Sequence, residues 1–181
     1  MNRLQEKYLK EIVPALTKEF GYSNVHQVPR LEKVVINAGV GRAAADTKIL
    51  ETVSVTLATI SGQSPVATKA KHSIAGFKLR EGNAIGTMVT LRSQRMYSFV
   101  DRLVAVALPR IRDFRGISDT AFDAQGNYSL GITDQTIFPE IEYEDASKGH
   151  SLQVNITTTA KTPAEGKRLL ELMGFPFRRN E

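Results

Sequence analysis

The pattern of apolar and polar positions first indicates two helices in the early part of the chain. Apolar residues recur at near-helical spacing up to Gly21, which follows as a stop. Pro14 falls inside this segment and is expected to bend or restart the helix, because proline cannot donate a hydrogen bond within the turn. The same spacing between residues 49 and 60 predicts a second helix, with Asp46 as a candidate N-cap and Gly62 as its stop.

Two further helices are indicated later in the chain. Apolar positions between residues 96 and 107 predict a third helix that ends before Pro109. The fourth begins with a clear start signal, in which Thr162 is a suitable cap and Pro163 suits the first turn. Glu165 completes the capping-box pattern at this start.

Between these helices, segments rich in strand-forming residues predict a sheet. They lie at residues 31–37, 65–70, 85–92 and 152–159, and a hairpin is expected within residues 121–130. The pattern predicts an α+β fold, with a mostly antiparallel sheet and helices packed on one face. The other face of the sheet would stay open, as in RNA-recognition folds, and could serve as a platform for RNA.

Size and composition agree with one domain covering residues 1–181. There are no cysteines, so disulfides and thiolate metal sites are excluded. The first residues carry charges of both signs, unlike a signal peptide. The apolar run at 103–109 is far too short to span a bilayer, which needs about 20 residues, so no membrane association is expected.

Charge is distributed unevenly along the chain, although the net charge is only +5. Residues 1–60 carry 8 basic and 6 acidic side chains, and residues 61–120 carry 10 and 4. Residues 121–181 reverse the balance, with 6 basic and 9 acidic side chains. Such asymmetry is typical of a protein that meets a polyanion on one side, although chance clustering on a solvated surface would look the same.

The most basic stretch covers residues 61–80 and contains no carboxylate. Its later part belongs to a loop predicted at residues 71–82, where Phe77 offers a ring on which a base could stack. Cations without competing acids favour phosphate binding. The alternative is a solvated loop whose Phe77 packs back onto the core. The positively charged or titratable side chains of the stretch are Lys69, Lys71, His72, Lys78 and Arg80.

An enzyme is the main alternative class, because residues 39–44 match the dinucleotide pattern G-x-G-x-x-A. That cofactor also needs an acidic residue about 20 positions later, at the end of the next strand. Here the next strand ends in Lys69 and Lys71, which argues against a cofactor. A tight turn, or a turn whose backbone N–H groups hold an RNA phosphate, remains open. The histidines show no metal-binding spacing, and no catalytic set is present.

An acidic group in the later half of the chain allows three interpretations. In an extended segment its three glutamates would share one face, as paired carboxylates do in acid–base catalysis. No cleft signature accompanies them, so a solvated acidic edge or a docking surface for a basic protein is favoured. The group consists of Glu140, Glu142, Glu144 and Asp145.

Several segments in fixed order resemble the large-subunit ribosomal protein family five, which binds 5S ribosomal RNA. They span nearly the whole chain, so together they are more specific than any single motif. The segments are VVINAGVG at 34–41, SP at 64–65, SIAGFKLR at 73–80, VTLR at 89–92, RDFRG at 112–116, GNYSLG at 126–131, IFPEI at 137–141, TTAKT at 158–162 and GFPF at 174–177.

The resemblance implies a cytoplasmic, ribosome-bound structural protein of the central protuberance, without cofactor or enzymatic activity. Its sheet is expected to bind 5S ribosomal RNA, and large-subunit ribosomal RNA is a further expected partner. The implied ribosomal RNA contacts are Lys33, Asn37, Gln63, Thr68, Thr90 and Arg92. Lys69 is added to them because it would supply positive charge at the same surface.

Two further contacts are implied by the same resemblance. The loop at 71–82 is expected to be mobile and to reach the transfer RNA in the peptidyl site, whereas residues 112–116 and 134–145 would face a small-subunit head protein. The implied transfer-RNA contacts are Lys71, His72, Phe77, Lys78 and Arg80. The implied small-subunit contacts are Arg112, Arg115, Glu140, Glu142, Glu144 and Asp145.

Two residues of the loop weaken its expected grip on RNA. His72 stands where a permanent cation would be expected, and Glu81 adds an acid at the end of the loop. A free-standing RNA-binding regulator remains a further alternative to a ribosomal protein.

Overall fold

The computed structural model describes residues 2–41, 47–141 and 150–178. It has an α+β fold with five α-helices and five strands in these ranges. The helices are α1 (Arg3–Lys7), α2 (Val13–Phe20), α3 (Thr47–Ser61), α4 (Ser93–Arg102) and α5 (Pro163–Met173). The strands are β1 (Leu31–Gly39), β2 (Val66–Lys69), β3 (Ala84–Leu91), β4 (Tyr128–Ile132) and β5 (Leu152–Thr158).

The five strands form one antiparallel sheet in the order β2-β3-β1-β5-β4. The expected α+β fold with a mostly antiparallel, open sheet is therefore confirmed. Strands β2 and β3 pair with Val66 opposite Met88 and Thr68 opposite Gly86. The register then shifts between Thr68 and Lys69, which marks a bulge at the end of β2.

Proline interrupts the first helical segment as expected. A π-helical turn (Tyr8–Ile12) separates α1 from α2, and Pro14 lies in the first turn of α2. The N–H of Val13 donates to the carbonyl oxygen of Tyr8, one residue further back than in an α-helix. This wider turn precedes the proline, whose ring would clash with the carbonyl four residues back in a regular helix.

The third helical segment contains the same combination, and here the predicted end was too early. A π-helical turn (Leu103–Ala107) follows α4, and a short 3₁₀ turn (Leu108–Arg110) then includes Pro109. The chain therefore stays helical through Pro109, because proline is tolerated in the first turn of a helical segment, where its missing N–H costs nothing.

The chain divides into two compact units. The first draws on residues 1–34, 92–130 and 155–181, and the second on residues 35–91 and 131–154. Each has its own buried apolar residues, with Leu16, Phe99 and Leu169 in the first. Those of the second include Ile36, Val53, Leu57 and Val154, and helix α3 packs against β3 within this unit.

The hairpin expected within residues 121–130 forms only in part. Its first arm makes an isolated bridge between Phe122 and Tyr128, and its second arm is β4. In the turn, Oδ1 of Asp123 accepts hydrogen bonds from the N–H groups of Gln125 (2.9 Å) and Asn127 (2.8 Å). The side chain of an Asx turn thus satisfies backbone groups that a second ladder strand would otherwise satisfy.

This turn is fixed against two distant parts of the first unit. The N–H of Thr158 donates to Oδ1 of Asn127 (2.9 Å), and Oγ1 of Thr158 donates to the carbonyl oxygen of Gly126 (3.0 Å). A Cβ on Gly166 of α5 would collide with the backbone of Gly126. Only glycine permits so close an approach of helix and turn.

The start of α5 follows the predicted capping with one difference. Oγ1 of Thr162 accepts from the N–H of Glu165 (3.3 Å), as a cap should. Oε2 of Glu165 accepts from the N–H of Lys161 (2.8 Å) rather than from the cap residue itself. Among the described residues, no helix has both the length and the apolar character required to cross a membrane.

Candidate nucleic-acid interface

Strand β1 has one buried side and one accessible side. Val34, Ile36 and Ala38 are fully buried, whereas Lys33 and Asn37 are half-buried on the alternate positions. Successive side chains of a strand point to opposite faces, so the two predicted contacts share the accessible face. This alternation separates the core from a polar surface within nine residues of sequence.

Strand β3 continues the same division, and β2, whose side chains are exposed or half-buried, pairs with it. Thr68 lies opposite Gly86 in the ladder, and Thr90 lies on the same side of β3 as Gly86. Thr68 and Thr90 are half-buried, while the intervening Thr87 and Val89 point to the buried side. The predicted contacts Thr68 and Thr90 therefore lie together on the accessible face of this strand pair.

Gly86 is what brings these strands close together. A Cβ at this position would stand 2.8 Å from Oγ1 of Thr68 and 2.8 Å from the carbonyl oxygen of Ala38. Both distances are too short for a real contact, so any side chain larger than hydrogen would push the strands apart. The absence of a side chain leaves Thr68 lying across the backbone of β3.

Gln63 is held against the same strand from outside the sheet. Its Nε2 donates to the carbonyl oxygen of Thr90 (3.2 Å), and its backbone N–H donates to Oγ of Ser61 (3.2 Å). Gln63 thus supports the strand that carries Thr90. Its side-chain amide is therefore held by a protein contact rather than being a loose surface group.

Two of the three predicted cationic contacts on the sheet, Lys69 and Arg92, lie at strand ends and are exposed, whereas Lys33 is half-buried within β1. Lys69 follows the bulge at the end of β2, and Arg92 follows the last residue of β3. Arg92 is also the cap residue of α4, and the next residue, Ser93, has a φ of +50°. A non-glycine residue in this left-handed region is uncommon and marks a locally constrained turn.

Strand β5 adds polar positions that the sequence analysis missed. Leu152, Val154 and Ile156 are buried, whereas Asn155 and Thr157 are half-buried. The signal was present in the alternation of LQVNITT, but it was used only to predict a strand. These residues give β5 a polar accessible side of its own.

The loop at 71–82 is ordered by bonds within itself. The backbones of Ile74 and Leu79 exchange two hydrogen bonds (2.9 and 3.1 Å), and Oγ of Ser73 accepts from the N–H of Glu81 (2.9 Å). Phe77 is 76% exposed at the tip, so it does not pack back onto the core. The next residue, Lys78, has a φ of +51°.

All five predicted transfer-RNA contacts are exposed on this loop. Most of the loop's side chains are exposed, in contrast to the half-buried polar positions of the sheet. The exposed contacts are Lys71, His72, Phe77, Lys78 and Arg80.

The predicted small-subunit contacts are only partly within the described residues. Arg112 and Arg115 are exposed in the loop between the third helical segment and the hairpin. Glu140 is half-buried in a turn that follows the short 3₁₀ turn Gln135–Ile137. Glu142, Glu144 and Asp145 lie outside the described residues.

The first residues of the glycine pattern at 39–44 take part in the backbone hydrogen bonding of the sheet. Gly39 ends β1, and the N–H of Val40 donates to the carbonyl oxygen of Ile85 (2.9 Å). That N–H is therefore not available to a phosphate, and residues 42–46 lie outside the described residues. The described residues contain no group of three or more potential side-chain ligands for a metal ion.

The shifted pKa values belong to residues that hold the fold together. Burial raises the pKa of Tyr128 to about 12, and its hydroxyl donates to the carbonyl oxygen of Ser118 (2.7 Å). The side-chain hydrogen bond from Asn127 lowers the pKa of Asp123 within the turn. Neither residue lies on the accessible face of the sheet or in the loop at 71–82.

Comparison with known proteins identifies the class to which this protein belongs. Residues 24–80 match the family described as ribosomal protein L5, and residues 84–177 match the model for the C-terminus of the same ribosomal family. The large ribosomal subunit protein uL5 of Citrifermentans bemidjiense is 59% identical over 178 residues, covering 98% of this chain and 99% of the relative. The protein of the same name from Picosynechococcus is 56% identical over 176 residues, covering 97% of each chain.

The class is thus that of structural ribosomal proteins rather than enzymes. The chain belongs to the ribosomal protein L5 family, whose matched members carry the name of a large-subunit protein. It is therefore a cytoplasmic, ribosome-bound protein, as the resemblance implied. The enzyme alternative is excluded by this membership, and so is a role only as a free-standing regulator.

Proposed function

We propose that the accessible face of the sheet binds 5S ribosomal RNA within the large subunit. The observation that carries the proposal is the alternation on β1 and β3, which leaves Lys33, Asn37 and Thr90 accessible and turns mainly apolar residues to the buried side. None of the accessible positions on β1, β2 and β3 is a carboxylate, apart from Glu32 near the start of β1. Such a surface does not repel phosphate.

The chemistry of the face suits recognition of RNA by shape. Asn37, Thr68 and Thr90 offer short donors and acceptors that can reach sugar 2′-hydroxyls and phosphate oxygens. Lys69 and Arg92 stand at strand ends, where their charges can neutralise phosphates without covering the polar groups between them.

A titration with 5S ribosomal RNA at several salt concentrations tests this proposal. We expect the affinity to fall as the salt concentration rises, with a slope that corresponds to the release of several counterions. We expect Asn37→Ala to weaken binding about tenfold, which is equivalent to about 1.4 kcal/mol. Thr59→Ala is the control, because Thr59 is an exposed polar residue of α3. A flat salt profile, or no preference for 5S RNA over an unrelated RNA, would refute the proposal.

The loop at 71–82 is the proposed contact with peptidyl-site transfer RNA. Its cations project from a small hairpin whose tip carries the exposed ring of Phe77. A stacking ring beside cations is the combination used for single-stranded or unpaired nucleotides. The hydrogen bonds of its tip, between residues 73 and 81, lie within the loop, and we also keep the prediction that the loop is mobile.

Replacing Lys78 and Arg80 with alanine separates the two RNA contacts. Binding of 5S RNA should be nearly unchanged, while transfer RNA binding to ribosomes assembled with the variant should weaken. Both side chains are exposed, so no loss of folding is expected. A collapse of 5S RNA binding would show that the loop belongs to the 5S contact instead.

The third proposed contact is with a small-subunit head protein, through residues 112–116 and 134–145. Arg112 and Arg115 are exposed in the first segment, and Glu140 begins the acidic group of the second. Ribosomes with Glu140→Lys should join small subunits less well than ribosomes with Glu51→Lys, an exposed acid of α3. Equal association of the two variants would contradict this contact.

A further inference from the structure

The segment 175–178 forms a β-bridge with residues 116–118. The N–H of Ile117 donates to the carbonyl oxygen of Pro176 (2.8 Å), and the N–H of Arg178 donates to the carbonyl oxygen of Ile117 (3.0 Å). Ile117 and Phe177 are parallel partners in this bridge, and Ile117 is buried. Residues far apart in sequence thus share one short stretch of ladder directly beside Arg115.

Gly116 permits this approach. Its φ is +95°, and a Cβ there would stand 2.8 Å from the backbone nitrogen of Arg178. Any other residue would therefore be strained and would push the 175–178 segment away. Arg115 and Arg178 are consequently brought together at the backbone level, although their side chains are both exposed.

An aromatic cluster fixes the bridge from behind. The ring of Phe177 lies 5.7 Å from that of Phe122 and 5.6 Å from that of Tyr128, measured between centroids. The hydroxyl of Tyr128 donates to the carbonyl oxygen of Ser118, the residue after Ile117. Ring contacts of this kind stabilise by packing and edge-to-face geometry, so Phe177 holds the 116–118 segment in place.

The surface around this bridge is rich in arginine. Asp113 is the one acid of the 110–118 segment, and the neighbouring Asp119 is paired with Lys167 (3.2 Å). Protein–protein interfaces are enriched in arginine and aromatic residues and depleted in lysine. The 110–118 segment has this composition, with Phe114 as its aromatic residue and no lysine. Within the described residues, four exposed arginines here have no side-chain ion pair or hydrogen bond. They are Arg110, Arg112, Arg115 and Arg178.

We propose that the 175–178 segment is part of the surface that contacts the small-subunit head protein, and that this part of the surface fits a carboxylate-bearing patch. Arg178 is a further contact residue beside Arg112 and Arg115, and Phe177 is a positioning residue for the loop. The inference rests on the proposed subunit contact and deepens it. It assigns an acidic partner surface to this segment, whereas the glutamates near Glu140 suit a basic one.

Charge reversal tests the assignment in large subunits assembled with the variant protein. Arg115→Glu combined with Arg178→Glu should lower the affinity for small subunits about tenfold, because each partner carboxylate would then face a like charge. The same number of charges is reversed in Lys10→Glu combined with Lys161→Glu, where both lysines are exposed. This control should associate normally.

The outcomes separate the possibilities. Normal association of the arginine variant together with weakened association of Glu140→Lys would overturn this inference and leave the proposed subunit contact standing. Normal association of both would refute the proposed contact itself. Failure of the arginine variant to enter large subunits, when the lysine control enters, would mean that the arginines bind ribosomal RNA instead of a protein.

The positioning role of Phe177 has its own readout. Phe177→Ala keeps every charge, so it should weaken association only if the orientation of the loop matters. We expect faster hydrogen exchange at the Ile117 amide and weaker association, with both recovered in Phe177→Leu. Faster exchange at Ile117 with unchanged association would refute the positioning role.

Discussion

Two basic loops of this protein are built in opposite ways. The loop at 71–82 is ordered by its own hydrogen bonds, and most of its side chains, including Phe77, are exposed. The loop at 112–118 is bonded to the distant 175–178 segment and backed by the rings of Phe122 and Phe177. Each contains a non-glycine residue with positive φ, Lys78 at +51° and Asp113 at +53°.

The two proposed contacts would account for this difference. The loop proposed to meet transfer RNA keeps its side chains exposed, so the ligand itself would complete the contact. The loop proposed to meet the small subunit holds the backbone that carries its arginines in place, and rigid surfaces lose less entropy when they bind. Only the second construction uses the packed core of the first unit.

Glycine replacement gives the largest expected difference between the two loops. Gly116→Val should lower the free energy of unfolding by about 3 kcal/mol, since it combines positive-φ strain with a backbone collision. Gly76→Val in the other loop meets nothing within 4 Å and should change stability by less than about 0.5 kcal/mol. Urea unfolding of both variants measures this, and equal losses would erase the distinction.

Alkaline pH should loosen the anchored loop through Tyr128, with a smaller effect. Burial raises the pKa of Tyr128 from 10.0 to about 12 in the folded protein. The neutral phenol is therefore favoured in the folded state, and its contribution is complete below pH 10 and lost as the pH rises towards 12. Tyr128→Phe should flatten part of the fall in stability over this window, as measured by urea unfolding at pH 8, 10 and 11. An unchanged slope would remove Tyr128 as the cause.

The smallest expected effect is relief of backbone strain in the free loop. Lys78→Gly should raise the free energy of unfolding by at most about 0.5 kcal/mol, because glycine tolerates positive φ but loses more entropy on folding. Asp113→Gly should gain less, since aspartate tolerates this conformation better than lysine does. Thermal melting of the two variants compares them, and a larger gain for Asp113→Gly would contradict this order.

Local signals predicted most of the elements. The helix stops at Gly21 and Gly62 and the cap at Thr162 are short-range features, and the structure has all three. The order of the strands could not be predicted, because β1 neighbours β5 across more than a hundred residues and no local periodicity encodes that pairing. For the same reason the bridge between Ile117 and Phe177 was not foreseen.

The candidate site was foreseen unevenly. Asn37 and Thr90 lie on the accessible side of the sheet, as a contact with RNA requires, but that choice came from the resemblance and not from periodicity. Asn155 and Thr157 were missed, although alternation in β5 marks them equally well. Arg178 carried no sequence signal, because only the folded chain brings it beside Gly116.

The bridge at Ile117 also has a consequence for how the chain can be shortened. The first unit draws on residues 155–181, whereas the second draws on no residue beyond 154. A stop codon after residue 154 would therefore remove Phe177 and Arg178 together with the bridge, and would leave every residue of the second unit in the chain. Such a truncation separates loss of the arginine surface from loss of β2 and β3.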